Sequence, residues 1–575
     1  MKTINSKAWT GVPKKVSIEQ AISHAKQALQ SRNFAIAEVI AEKIRLKLPQ
    51  HPQLLYIEAM QLLLSNQNSQ AYQKFEDAFS AGLKEASARL NAANITRQQG
   101  ELPKALSHIQ AAIDIKPSYI PAWQMALETV HALGDQALVS RWEESACHFS
   151  EIDEDLCSFV ATYFHLNIQD KKALQTINNY LVRKKSEKLH LLKASISEMR
   201  ADYAAVENSL AELSDKMLNT VEAKLLKAKL HKNEGEYELA ISTLNSISEI
   251  SSNSPPLNRS IFRELHENYV LLKEYEKAWQ AAMSMNSSID CSNNSKLLEG
   301  CRADQKSIQD YSPALCLDKK ERLKNIIYII GFPRSGSTLL EKMLVDTYDV
   351  TTASESVAIS LAEKAIYAET NSPWWKIPET SEAVFSQCIK NATKQYEKEV
   401  VSLNGSPNKF LIDKQLFNGF KLPLIKALTT NCLFIRVTRH PLDVVLSNYF
   451  ANFMTTDTWH ADLKTIAEYL VLCDQAIDLH IQKLQLPVKL IRYEDIVEQK
   501  QVSDELKQAL NDHKIKTTDF TPNNLITRTA SYNQVNQPIH QDSVENYKHY
   551  LSFINKEVIT ILAPIIDKWG YNMDC

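Results

Sequence analysis

From residue 17 to about 285, apolar positions recur at three- and four-residue spacing, broken at short intervals by polar stretches. That rhythm predicts helix after helix. The helices carry a longer period of their own. Ala37 in NFAIAEVIAEKI, Ala71 in NSQAYQKFEDAF and Ala105 in GELPKALSHIQAAI stand 34 residues apart, and the same step reaches Val139 and Ala173. Gly100 and Gly134 are also 34 apart. The register slips near 203–206, then returns at Gly235, Tyr237 and Ala240, and again at Tyr275 and Ala278. A small residue at a fixed register is what stacked helices need where they cross closely. Glycine closes the turn within a pair, and Pro117 marks the end of a second helix. SSNSPPLNRS (251–260) is a polar insertion between late repeats, and SSIDCSNNSK (287–296) marks the end of the array.

Beyond residue 320 the pattern changes. Short apolar runs of strand length, IIYII (326–330), KFLIDK (409–414), CLFIRVTR (432–439) and VKLIRYED (488–495), alternate with helical patterns. The alternation predicts a parallel sheet with helices on its faces. The expected fold class is therefore α + α/β: an N-terminal α-solenoid, then a P-loop-like α/β domain. The divisions fall at 1–16 (extension), 17–296 (solenoid), 297–320 (helical linker) and 321–575 (α/β domain). The 34-residue period resembles tetratricopeptide repeats.

Composition narrows the function. The chain has 575 residues, 44% hydrophobic and 23% charged, with a formal net charge of −3. No global basic field points to nucleic acid, so any anion site must be local. Nine cysteines, an odd number without a C-x-x-C pair, indicate neither a disulfide framework nor a zinc site. The N-terminus lacks the apolar segment of a secretory signal, and no apolar run reaches the length of a membrane span. The expectation is a cytoplasmic protein that needs no metal.

The chemistry concentrates in IIYIIGFPRSGSTLLEKML (326–344). A strand, a loop rich in Gly, Pro, Ser and Thr, and an amphipathic helix form the geometry of a phosphate cradle. A nucleotide-triphosphate loop would read G-x-x-x-x-G-K-[ST]. Here Gly336 is followed by Ser337 and Thr338, the lysine is missing, and Arg334 sits inside the loop. Backbone N–H groups and hydroxyls of Arg334, Ser335, Gly336, Ser337 and Thr338 can wrap a terminal anion at the helix N-terminus. Lys414 follows FLID (410–413), and Arg439 follows LFIRVT (433–438), with Ser447 eight residues further along. An arginine at a strand end and a serine on the next helix suit a second phosphate. The pattern thus predicts two separate anion sites, one for each end of a nucleotide. The absent lysine argues against a magnesium–triphosphate kinase.

GFPRSGSTLLEKML resembles the 5′-phosphosulfate loop of sulfotransferases, and FIRVTRHPLDVVLSNYF resembles their 3′-phosphate segment. The resemblance covers 321–575, and within the family it is nearest to tyrosylprotein sulfotransferases and to bacterial proteins that join tetratricopeptide repeats to such a domain. It implies 3′-phosphoadenosine 5′-phosphosulfate (PAPS) as sulfuryl donor, no metal, and an acceptor hydroxyl, in the nearest relatives a protein tyrosine. It implies Glu355 as general base, 21 residues after Arg334, and Lys414 on the leaving-group oxygen, 25 residues before Arg439. Ser531, opening S-x-x-Q-V with Gln534 and Val535, joins Lys414 in stabilising the transition state; Tyr493 in IRYED contacts the nucleotide, and Lys548 is a further 3′-phosphate candidate. Two positions depart from the pattern, Ala451 and Gln537, where tyrosylprotein sulfotransferases carry arginine and lysine. His440, before a proline, reads as structural, while Trp374 and Trp375 suit either an acceptor wall or a packed loop.

The same motifs serve a carbohydrate or small-molecule acceptor equally well. A repeat scaffold with an inactive transferase domain is the rival from another class. The inner surface of the repeats can hold a protein or peptide acceptor, and a homodimer is compatible with it.

Overall fold

The computed structural model describes residues 3–7, 15–167, 169–248, 254–309, 322–374, 382–402, 409–453, 457–518 and 543–572. The helical period builds pairs as expected. Pro52–Leu64 packs with Asn68–Ser80, Ala86–Gln98 with Leu102–Ile115, and Glu154–Leu166 with Asp170–Leu181. Ala37, Ala71, Ala105 and Ala173 are wholly buried and Val139 is 4% exposed. The 34-residue step is therefore the step of the helix crossings. Gly100 and Gly134 close their turns with φ of +79° and +73°, a conformation that costs a side chain. The slip near 203 has a local cause: the second helix there is only Tyr203–Leu210, followed by the short helix Asp215–Leu218. The pairs resume with Val221–Glu234 and Tyr237–Ser248, then Pro255–Leu271 and Tyr275–Asn286.

The chain divides into two compact units, Met1–Lys193 and Ala194–Cys575. The first holds the early pairs around a core of Ala, Ile, Leu and Phe, with a two-stranded antiparallel ribbon, β1 (Thr3–Asn5) and β2 (Lys15–Ser17), near its start.

The second unit contains a five-stranded sheet built from β3 (Ile326–Gly331), β4 (Val350–Ser354), β5 (Phe410–Asp413), β6 (Cys432–Thr438) and β7 (Val488–Arg492). The strand order is β4-β5-β3-β6-β7, and every pairing is parallel. Alternate residues of β3 serve opposite layers, as a strand's period of two requires. Ile326, Tyr328 and Ile330 join one core, while Ile327 and Ile329 join another with Leu340, Ile412 and Ile435. Trp279, Ala282 and Leu298, from the last helical pair and the helix after it, belong to the same apolar cluster as Tyr328 and Phe434. Among the described residues no helix is long and apolar enough to cross a membrane.

Candidate functional site

The first strands of the sheet deliver their polar residues to one edge. β3 ends at Gly331, and the helix Ser337–Thr347 begins after the loop. Gly336 caps that helix with φ +97°. A side chain there would be strained, and its Cβ would lie 2.3 Å from the Tyr493 ring. Gly331 is pressed similarly, since a Cβ would lie 2.7 Å from the Val437 carbonyl oxygen. The loop is therefore shaped by two close approaches that only glycine permits. Arg334 itself adopts φ +69°, a strained conformation for a non-glycine residue and one common at ligand clamps.

Long-range contacts hold the loop. Asn448 Nδ2 donates to the Pro333 carbonyl at 2.9 Å, fastening it to the helix Pro441–Tyr449. Arg334 Nε donates to Ser447 Oγ at 2.9 Å, and Arg439 Nη1 donates to the Arg334 carbonyl at 3.1 Å. Arg439 also donates to the Ser543 carbonyl and lies 4.8 Å from the Tyr493 ring centroid. The four residues Arg334, Arg439, Ser447 and Tyr493, distant in sequence, are thus brought together at one place. Burial pulls the Arg334 guanidinium down to about 10, and the neighbouring charges of Arg263 and Arg439 add to the effect. Such a like-charge cluster is costly unless an anion joins it.

A second cluster sits where β4 and β5 end. β4 shifts register against β5 between Thr352 and Ser354, and Ser354 turns to φ +50°. This bulge presents Glu355 beyond the strand. Its side chain is 47% exposed, whereas that of Lys414 is fully buried. Lys414 Nζ lies 3.1 Å from Glu355 Oε1, donates to Thr338 Oγ1 at 3.1 Å, and pairs with Glu341 Oε2 at 3.2 Å. The lysine therefore bridges the loop helix and the bulge. Glu341 is buried completely and accepts from Thr352 Oγ1. Sequence reasoning missed Glu341, although it lies three residues after Thr338 on an otherwise apolar helix face. Just below, Asp413 accepts from Tyr396 Oη at 2.9 Å and Asn418 Nδ2 at 3.1 Å. Burial pushes its carboxyl up to about 6.

The Arg439 end of the site has its own frame. His440 stacks on Tyr547 with ring centroids 4.1 Å apart, and its backbone N–H donates to Glu494 Oε1 at 2.9 Å. Burial holds the His440 imidazole down at about 4, so it is neutral at pH 7 and acts as a packing group. Lys548 is exposed and pairs with Glu545 at 2.8 Å. Trp374 is buried. Ser531, Gln534, Gln537 and Trp375 lie outside the described residues.

Two observations bear on whether the site suits a doubly anionic nucleotide. Ser335 Oγ and Arg439 Nε are buried polar atoms with no hydrogen-bond partner among the described residues. The Gly336 cradle also has no room for a side chain. Both fit an anion bound at each end.

Residues 326–504 match the Sulfotransferase family. The matched segment contains the strand–loop–helix edge with Arg334, and also Arg439. An uncharacterised protein of Aquifex aeolicus (strain VF5) is 28% identical over an alignment of 313 residues that covers 52% of this chain and 40% of that relative. The chain thus spans less than half the length of that curated relative. Among solved structures, the sulfotransferase domain of the Synechococcus PCC 7002 olefin synthase is 16% identical, covering 44% of this chain and 97% of that one, with a TM-score of 0.28. Pseudomonas aeruginosa pilF covers 37% of this chain and 97% of its own at 13% identity and a TM-score of 0.25. A tetratricopeptide repeat-containing protein of Cytophaga hutchinsonii covers 46% and 94% at 14% identity and a TM-score of 0.29. The chain carries a sulfotransferase-family segment in its C-terminal domain and tetratricopeptide-like helical pairs before it.

Proposed function

We propose that the protein transfers the sulfuryl group of PAPS to an acceptor hydroxyl, with a protein tyrosine as the preferred acceptor. The observation that carries this reading is the 3.1 Å separation of Lys414 and Glu355 beside the Arg334–Thr338 loop. The donor supplies an electrophilic sulfur and a phosphate leaving group. Backbone N–H groups of the loop and the hydroxyls of Ser335, Ser337 and Thr338 hold the phosphosulfate end. Arg439 and Ser447 hold the 3′-phosphate, and Tyr493 flanks the nucleotide.

Glu355, exposed at the mouth, takes the proton of the acceptor hydroxyl as its oxygen bonds to sulfur. Lys414 turns from Glu355 to the bridging oxygen and neutralises the charge that develops as the sulfur–oxygen bond breaks. The products are the sulfated acceptor, 3′-phosphoadenosine 5′-phosphate and a proton on Glu355. Ser531 is assigned to the same transition state through the family resemblance alone. No metal step is needed in this scheme. A cytoplasmic setting accords with the seven described cysteines, all free thiols.

The test is incorporation of labelled sulfur from PAPS into tyrosine peptides, polysaccharides and small phenols. Labelling of the peptides, abolished by Glu355→Gln, supports the tyrosine reading. Labelling confined to a saccharide or a small phenol moves the acceptor but keeps the reaction, and labelling of none by a folded protein overturns the proposal.

A further inference from the structure

The helix Pro255–Leu271 belongs to the helical pairs, outside the segment that matches the family. It nevertheless lies against the end of the helix that carries Ser447. Arg259 Nη2 donates to the Phe453 carbonyl at 3.1 Å, and Asn452 Nδ2 donates to Ser260 Oγ at 3.2 Å. Six residues after Ser260, the His266 ring lies 4.2 Å from the Phe450 ring. Between these two anchors, one turn from each, stands Arg263. The stretch that these anchors meet, Phe450–Phe453, includes the buried, uncharged Ala451. The pair's other helix is tied to the same place, because Asn286 Nδ2 donates to the Tyr449 carbonyl at 2.9 Å.

The charges on this helix are arranged around Arg263. Its Nε pairs with Glu267 at 3.0 Å. Glu267 and Glu264 are each paired as well with Lys232, at 2.6 and 2.5 Å, from the helix Val221–Glu234. Burial opposes ionisation of Glu267, yet Lys232 and Arg263 outweigh it and hold the carboxyl well below the usual carboxylate range. Both carboxylates thus have a partner besides Arg263, since Lys232 reaches each of them and Lys229 lies 3.9 Å from Glu264. The charge of Arg263 is felt at Arg334 ahead of that of Arg439. Arg334 and Arg439 from the sheet domain meet at Ser447, and Arg263 stands on the repeat helix docked at Phe450–Phe453, about one turn further along.

Resting on the PAPS reading, we propose that Arg263 is a donor-binding residue, supplied by a repeat helix to the 3′-phosphate of the nucleotide. The repeats then complete the donor site rather than only adjoining it. A planar guanidinium with the carboxylate of Glu267 behind it is preset for such a contact.

Calorimetry on the full chain tests this with two probes, 3′-phosphoadenosine 5′-phosphate and adenosine 5′-phosphate, which differ only in the 3′-phosphate. Arg263→Gln should weaken the first roughly tenfold to a hundredfold and leave the second nearly unchanged. Arg263→Lys, which keeps the charge but loses the fork, should recover part of that loss. Arg439→Ala is the reference. If it weakens the first probe while Arg263→Gln does not, the inference fails and the donor reading stands. An equal loss for both probes in Arg263→Gln places the residue elsewhere and also overturns the inference. Thermal melts of each variant separate a binding loss from unfolding. A folded wild type that binds neither probe overturns the donor reading and this inference together.

Discussion

The unit Met1–Lys193 and the sheet edge of the second unit bury different things. The first fills its crossings with Ala37, Ala71, Ala105 and Ala173, and such charge as it buries spans neighbouring helices, as Lys172 does with Glu143. The sheet edge buries Lys414, Glu341, Asp413, Arg439 and Asp443 within one region. Burying charge is expensive unless each group finds a partner. A region that concentrates it is carrying something besides stability, and its residues should separate activity from folding in a way the alanine crossings cannot.

The sharpest way to break that contrast is Lys414→Met. It removes the group assigned to the leaving oxygen and should lower kcat by about a hundredfold to a thousandfold. It also strands Glu341, so stability should drop by about 3 kcal/mol or more in urea denaturation. Adding Glu341→Gln should restore most of the stability and none of the activity. If activity returns in the double variant, Lys414 acts only through packing. Glu355→Gln should cost roughly a hundredfold to ten-thousandfold in turnover with an unchanged melting curve, since the side chain is half exposed. A matching loss of melting temperature would move Glu355 to a structural role.

Ala71→Leu probes the other side of the comparison. Overpacking a helix crossing should cost about 1–3 kcal/mol in denaturation, while binding of 3′-phosphoadenosine 5′-phosphate stays as in wild type. A loss of that binding would mean that the two regions are not separable in function.

A last contrast concerns pH. The carboxyl of Asp413 is raised by burial from 3.8 to about 6. The folded state therefore holds this proton more tightly than the unfolded one. Stability from this group is full below about pH 4 and is lost as pH rises through about 6, by roughly 2–3 kcal/mol. Asp413→Asn should flatten that decline when stability is compared at pH 4.5 and pH 7.5. Burial raises Asp443 to about 6 as well, so a residual slope should remain.

Much of this was legible in sequence because it is written in local periods. The 34-residue step gives the helix crossings, and a strand followed by a Gly-Ser-Thr loop gives the anion cradle. The family resemblance points to Glu355 and Lys414 at set spacings from Arg334 and Arg439, and the fold brings the two side by side. What escaped depends on tertiary neighbours. Glu341 looks like any helix glutamate until Lys414 is seen against it. The closeness of Tyr493 to Gly336 joins segments whose sequences say nothing of each other. Arg263 lies in a repeat, where a charged residue usually marks a solvated face, and only the docking of its helix at Phe450–Phe453 gives it a site. The register slip near 203 was visible, but the short helix behind it was not.

The account rests on the two-ended nucleotide site, and calorimetry of 3′-phosphoadenosine 5′-phosphate without metal tests it most directly. The expected result is tight binding by the wild type, lost in Arg439→Ala at an unchanged melting temperature. Absence of binding by a folded wild type, or equal binding by Arg439→Ala, would contradict it.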